Sequence, residues 1–259
     1  MSMPTLVIVT SETPAWIDVV KTATADVFNT VEYRERGNYV SRLVDDQAAM
    51  ILVNADGVDD WQFWTVTPKA SPATRRIPMV MVSDDASRHA AALHSGVDFA
   101  LTPAQLAAEL PRLLAVHARA PKPAIVEAME EQCAEPLPPE GLEGIRRFNE
   151  GEYYKQHDLF EALWVEESGP VRDLYRAILQ VGVAYYQITR GNQRGALKML
   201  LRSVQWLALL PDECRGVDVK QLREDSYKVR AELERIKDIA EFDKSLLQSV
   251  KMTQQKTSS

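Results

Sequence analysis

Four short runs that are apolar at every position dominate the stretch up to Leu114: Leu6-Val7-Ile8-Val9, Met50-Ile51-Leu52-Val53, Met79-Val80-Met81-Val82 and the weaker Phe99-Ala100-Leu101. A strand with water on one face alternates polar and apolar residues, whereas a run apolar on both faces needs cover on both, as in a parallel sheet between two layers of helices. Each run ends at a small or polar residue, respectively Thr10, Asn54, Ser83 and Thr102. Helical spacing fills the intervals, as from Trp16 to Thr24 and from Tyr39 to Ala48, and Val31-Glu32-Tyr33 reads as a further strand. The βα alternation predicts a doubly wound α/β domain over residues 1–119, with its ligand site beyond the carboxyl ends of the strands.

Those strand ends resemble the response-regulator receiver family. Thr5 to Glu12 is similar to its first strand and acidic turn, and Arg75-Arg76-Ile77-Pro78 with Met79 to Ser83 to its fourth strand. His94-Ser95-Gly96-Val97-Asp98-Phe99-Ala100-Leu101-Thr102-Pro103 is similar to its glycine turn, fifth strand and closing proline. The resemblance implies a phosphorylation site built from an acidic pair that holds a divalent cation, an acceptor aspartate, a hydroxyl and a lysine. Here only the hydroxyl persists, on Ser83. Thr10 and Ser11 stand in place of the acidic pair, with Glu12 the one acid nearby, Asn54 replaces the acceptor, and Thr102 replaces the lysine. An amide is no phosphoryl nucleophile, so a pseudo-receiver is expected. Asp56, two residues past Asn54, reads as a turn residue.

From Ala120 the composition shifts to prolines (Pro121, Pro123, Pro136, Pro138, Pro139) and glutamates, which predicts a stiff, extended linker over residues 120–143, with Val126 to Cys133 able to form a short helix within it. The period then changes to 3.6. Leu142 to Phe148 reads as a short helix capped by Gly151, Tyr153 to Glu166 as a second, and Leu174, Ile178, Val181, Tyr185 and Ile188 as one face of a third. Asn192 is placed to cap a fourth helix running to Leu210. An antiparallel helical bundle over residues 144–234 is expected. The runs Phe148-Asn149-Glu150-Gly151-Glu152-Tyr153-Tyr154, His157-Asp158-Leu159-Phe160-Glu161-Ala162-Leu163-Trp164, Leu179 to Ala184 and Arg190 to Leu197 resemble the family catalogued as domain of unknown function 309, over roughly residues 139–233. That likeness implies a fold and no reaction.

His157, Glu161 and Trp164 fall at i, i+4 and i+7 and share one face of the second bundle helix. With Asp158 beside them and Gln180 and Asn192 on neighbouring helices they form the candidate pocket for a small polar ligand or a peptide. His157 and Glu161 are a sparse metal pair without a third strong ligand, and the favoured reading is a buried His157–Glu161 hydrogen bond with Trp164 in the core. Arg172, Arg176, Arg190, Arg194, Lys198 and Arg202 give the third and fourth helices a basic side, with Arg194, Lys198 and Arg202 in one stripe, read first as a solvated face and second as a dock for the acidic linker or an acidic partner. Val229, Leu233, Ile236, Ala240, Leu247 and Val250 trace a heptad-like stripe, which predicts a C-terminal helical extension over residues 235–259, with Thr253 to Ser259 disordered.

The 259 residues, 46% hydrophobic and 26% charged, suit two modest soluble domains, and a net charge of −7 disfavours nucleic acid, whose phosphates call for clustered cations. The absence of a long apolar stretch or a charged leader predicts neither a membrane span nor a signal peptide. Cys133 and Cys214, far apart in sequence, read as two unremarkable thiols, consistent with a reducing cytoplasm. With no nucleophile–base pair, phosphate loop or dense ligand cluster, no cofactor is called and an enzyme is disfavoured. The expectation is a bacterial signalling protein that works through protein partners, with homodimerisation through the receiver-like face or the C-terminal helix left open. The alternatives are a metal- or small-ligand-binding domain or enzyme centred on His157, Asp158 and Glu161, and a peptide-binding helical hairpin.

Overall fold

The computed structural model describes residues 3–253. The chain divides into two compact units, residues 1–120 and 121–259.

In the first unit, strands β1 (Thr5–Val9), β2 (Asn29–Tyr33), β3 (Ala48–Asn54), β4 (Met79–Val82) and β5 (Phe99–Leu101) form one parallel sheet in the order β2-β1-β3-β4-β5. Helices α1 (Trp16–Thr24), α2 (Tyr39–Asp45), α3 (Trp61–Ala70), α4 (Ala86–His94) and α5 (Pro103–His117) alternate with the strands. The fully apolar runs are explained by two separate cores. Successive strand side chains point to opposite faces. Leu6, Ile8, Met50, Leu52, Val80 and Val82 pack with Trp16, Ile17, Leu106 and Leu110 of α1 and α5. Val7, Val9, Ile51, Val53, Met79 and Met81 pack with Tyr39, Leu43, Trp61, Trp64 and Ala92 of α2, α3 and α4. Helix α2 ends at Asp45, and Ala48 opens β3 instead of closing the helix.

The second unit is helical: α6 (Pro123–Cys133), α7 (Pro139–Asn149), α8 (Tyr153–Glu166), α9 (Arg172–Thr189), α10 (Gln193–Leu209) and α11 (Val219–Arg235), with a small hairpin β6 (Glu213–Cys214) and β7 (Val217–Asp218). Gly151 and Gly191 hold φ of +76° and +73° at the turns after α7 and α9, where a side chain is strained. Asn192 caps α10 through the Gly195 amide at 2.9 Å.

Three expectations are corrected. The proline-rich segment is not an extended linker: Pro123 and Pro139 stand at the first turns of α6 and α7, where a missing N–H costs no bond, and Met129, Cys133 and Leu137 are buried in the helical core. The C-terminal helix stops at Arg235. Asp238 and Asp243 draw the backbone amides of Ala240 and Ser245 into two 3-10 turns, while Ile236, Phe242 and Val250 fold back into the core. Asn149 holds Val250 by two bonds, of 3.0 and 2.8 Å. Among the described residues, the stretch after Arg235 thus holds two short 3-10 turns in place of the expected α-helix. Thr253 donates its amide to the Gly216 carbonyl at 2.8 Å, and the rest of the expected disordered tail, residues 254–259, lies outside the described residues.

The third correction concerns the cysteines. Cys133 and Cys214, 81 residues apart, form a disulfide between the end of α6 and the hairpin, because the fold brings their Cα atoms to 4.3 Å. The pair withdraws the argument from free thiols to a reducing cytoplasm. Beside it, the buried Arg215 donates to the Gln132 carbonyl, the Tyr175 hydroxyl and Glu135, with Glu167 at 3.6 Å. Closing a loop of this length removes enough unfolded-chain freedom to stabilise the unit by about 4 kcal/mol. Reduction, or the Cys133→Ser change, is expected to lower the melting temperature of the helical unit in calorimetry, and an unchanged transition would refute the pairing.

Candidate functional site

The first candidate lies at the strand ends of the α/β unit. Asn54 ends β3 with its side chain buried, and its Nδ2 donates to Thr10 Oγ1 at 3.1 Å across the gap to the end of β1. Thr10 in turn donates to the Glu12 carbonyl, and the Ser11 hydroxyl to the Gly57 carbonyl. A Cβ on Gly57 would come within 2.2 Å of Asn54 Nδ2, so glycine here makes room for the amide. Ser83 is buried at the end of β4, and its hydroxyl donates to Asp56 Oδ1 at 2.6 Å. The same carboxylate accepts the Asp84 amide at 2.8 Å and Arg88 Nη1 at 3.0 Å. Thr102 closes the series as the cap of α5, its hydroxyl accepting the Gln105 amide at 3.2 Å while Gln105 Oε1 accepts the Thr102 amide at 2.9 Å.

The polar groups at these strand ends are thus engaged with one another. Here an amide, three hydroxyls, a capping threonine and the Asp56 carboxylate all bond to groups of the unit itself. Asp56 does sit in a turn, and it also ties the β3 end to the β4–α4 loop, a role invisible in sequence because Ser83 and Arg88 lie 27 and 32 positions away. Asp56→Ala would leave the buried Ser83 hydroxyl without its acceptor. A loss of about 1–2 kcal/mol in denaturant unfolding is expected.

The second candidate runs along α9. Helices α8 and α9 are antiparallel neighbours: Tyr153 meets Tyr185 at 5.7 Å between ring centroids, Gln156 Nε2 donates to the Leu179 carbonyl at 3.3 Å, and Phe160 meets Tyr175 at 6.3 Å. This register sets His157 level with Gln180, Glu161 with Arg176, and Trp164 with Arg172. The last pair is in contact, with the Arg172 guanidinium 5.7 Å from the Trp164 ring centroid. On the other flank Trp206 of α10 lies under Arg176 at 4.0 Å and under Arg202 at 5.5 Å. Arg172, Arg176 and Gln180 fall at i, i+4 and i+8, so they form one row between two tryptophans.

Of the six residues predicted for this pocket, the structure aligns His157, Glu161, Trp164 and Gln180 along the α8–α9 seam. The buried His157–Glu161 bond is corrected: Glu161 is exposed, and His157, half-buried, meets the exposed Asp158 at 3.3 Å. Trp164 lies at the margin of the core, not within it. Asn192 is taken up by its cap and by Gln187 at 2.7 Å. Among the described residues no group of three or more His, Cys, Asp or Glu side chains is placed to hold a metal ion, and no helix is long and apolar enough to cross a membrane. Arg172 and Arg176 read in sequence as part of a basic side, and the structure sets them beside Trp164 and Trp206. Trp206 was missed in sequence because its meaning depends on how α10 packs against α9.

Trp164 Nε1, Arg172 Nε and Gln180 Oε1 are shielded from solvent without a hydrogen-bond partner. Burial lifts the Asp173 carboxyl above the ordinary aspartate range, against the opposing pull of Arg176 and Arg172. The folded chain therefore keeps this proton to a higher pH than the unfolded chain, and its contribution to stability falls as pH rises through that interval. In a carboxyl NMR titration Asp173 is expected to titrate above the ordinary aspartate value, and Asp85, which Ser87 holds low by hydrogen bonding, below it.

Residues 142–199 match the family described as Domain of unknown function (DUF309), a range that takes in most of α7, all of α8 and α9, and the start of α10. An uncharacterized protein of Aquifex aeolicus (strain VF5) is 22% identical over 77 residues, which is 29% of this chain and 23% of that protein. The chain is thus similar to less than a quarter of that relative's length.

Proposed function

We propose that this chain is a non-phosphorylatable regulatory protein: a receiver-like α/β unit retained for its surfaces, joined to a helical unit that engages a protein partner. The observation that carries the reading is the Asn54–Thr10 bond. It puts an amide where the resemblance implies an acceptor carboxylate, and it uses that amide to tie two strand ends together. Three features support it. The strand order β2-β1-β3-β4-β5 is that of flavodoxin-like folds, whose ligand site lies at the end of β1 and β3. Thr10 and Ser11 bring no charge that would hold a divalent cation, and their hydroxyls donate to the Glu12 and Gly57 carbonyls. Thr102 offers no ammonium and spends its hydroxyl on capping α5.

A unit of this kind acts by presenting a constant surface. Its neighbours receive the same shape whether or not phosphodonors are present, so any regulation enters through the partner or through the helical unit. No step of bond making is assigned to it. The cytoplasmic placement is not part of this proposal, since the free thiols that suggested it are paired in a disulfide.

Incubation with acetyl phosphate and magnesium, followed by intact mass, is expected to leave the mass unchanged. The Asn54→Asp variant is expected to stay unmodified as well, since the metal-binding acids and the lysine are still missing. A stoichiometric phosphoryl adduct on the wild-type chain would overturn the reading.

A further inference from the structure

The row along α9 combines features that a purely structural surface does not need. Shielded, unpaired polar atoms each cost roughly 1–3 kcal/mol, and three of them, Trp164 Nε1, Arg172 Nε and Gln180 Oε1, lie along one seam. The donors stand at one end and the acceptor at the other. Arg172 and Gln180 are eight residues apart on one helix face, a rise of about 12 Å. Between them Arg176 lies flat on Trp206. Arg176 also holds Asp173 at 2.7 Å, and Arg172 brings a further positive charge to the row, in a chain that is acidic as a whole.

We propose that this row binds the C-terminal carboxylate of an extended peptide: Arg172 and the Trp164 indole N–H take the carboxylate, and Gln180 Oε1 accepts a backbone N–H further up the peptide. The Arg172 guanidinium lies over the Trp164 ring at 5.7 Å from its centroid, and a guanidinium meets a carboxylate as a two-pronged fork. The spacing selects the occupant. An extended chain advances about 3.3 Å per residue, so three or four residues cover the distance from Arg172 to Gln180, and each carries an N–H donor. A short acid reaches the arginine alone. The Arg176–Trp206 pair, midway along, provides a flat surface for a peptide side chain. Binding turns the shielded groups toward the ligand and supplies the partners they lack. His157, level with Gln180, and the exposed Glu161 stand at the rim.

The proposal deepens the protein-interaction reading by giving the partner a chemistry. It stands on the helical unit alone, so an adduct at the α/β unit would leave it intact, and its own failure would leave the Asn54 argument intact.

The test uses the full chain and the indole N–H resonances of its five tryptophans. The probes are tetra-alanine with a free carboxylate, the same peptide as its C-terminal amide, and butyrate, all at constant ionic strength. The Trp164 indole signal, assigned by Trp164→Phe, is expected to shift saturably with the free peptide, and binding of the amide and of butyrate is expected to be weaker by roughly tenfold or more, the scale of a lost charge-assisted bond. Arg172→Met, which keeps the side-chain stem, is expected to abolish the preference for the carboxylate. Gln180→Leu, a change of similar size, is expected to bring the free peptide down to the affinity of butyrate. Unchanged positions of the remaining indole signals report that each variant is folded. No saturable shift with the free peptide, equal binding of the amide, butyrate binding as tightly as the peptide, or an undiminished response in folded Arg172→Met would each overturn the proposal.

Discussion

Helix α9 is the constraint on which the helical unit depends. Ten of its eighteen residues are buried, among them Leu174, Tyr175, Ile178, Val181 and Tyr185, because α8 and α10 both pack against it. Such close packing needs small residues where backbones approach. A Cβ on Gly182 would fall 2.3 Å from Gln156 Nε2, and one on Gly144 would fall 2.6 Å from the Phe160 ring. A helix covered on most of its circumference leaves one stripe uncovered, here Arg172, Arg176, Gln180, Val183 and Gln187. The residues of α9 that stay outside the core are those on that stripe together with Asp173, Tyr186 and Thr189. The flanking tryptophans are the walls that packing left beside it.

The α/β unit is organised by a different necessity. Its strands are covered on both faces, so its polar chemistry is confined to the strand ends, where the helices leave the sheet. Asn54, Thr10, Ser83 and Asp56 meet there and satisfy one another. Buried polar groups that pair internally add rigidity and specify one arrangement, and they forgo a ligand to do so. Here Asn54 is aimed at Thr10 and Ser83 at Asp56.

Much of this was legible from local pattern. Four of the five strands follow from runs apolar at every position, and β2 from the shorter Val31-Glu32-Tyr33 signal. Residues Tyr153 to Glu166 form the helix that their spacing announced, and Gly151 and Asn192 sit at the cap and turn positions their chemistry suits. The prolines misled, because Pro123 and Pro139 are as much at home in the first turn of a helix as in an extended linker, and local sequence does not choose between the two. The heptad-like run from Val229 to Val250 misled likewise: Asp238 and Asp243 offered the backbone closer partners than the next helical turn. Of the candidate pocket, the α8 face was legible as i, i+4, i+7, and its partners on α9 and α10 were not.

By itself the sequence determined which residues alternate, where helices such as α8 and α10 begin, and that Asn54 and Thr102 stand at strand ends. These are properties of neighbours a few positions apart, fixed by the periods of strand and helix. Only the tertiary structure decided that Cys133 reaches Cys214, that Asp56 claims Ser83, that His157 turns to Asp158 instead of Glu161, and that Arg172 and Arg176 lie on tryptophans from two other helices. Each of these depends on which groups are available at hydrogen-bonding or stacking distance once the chain has packed, and for most of them that means partners from distant parts of the sequence.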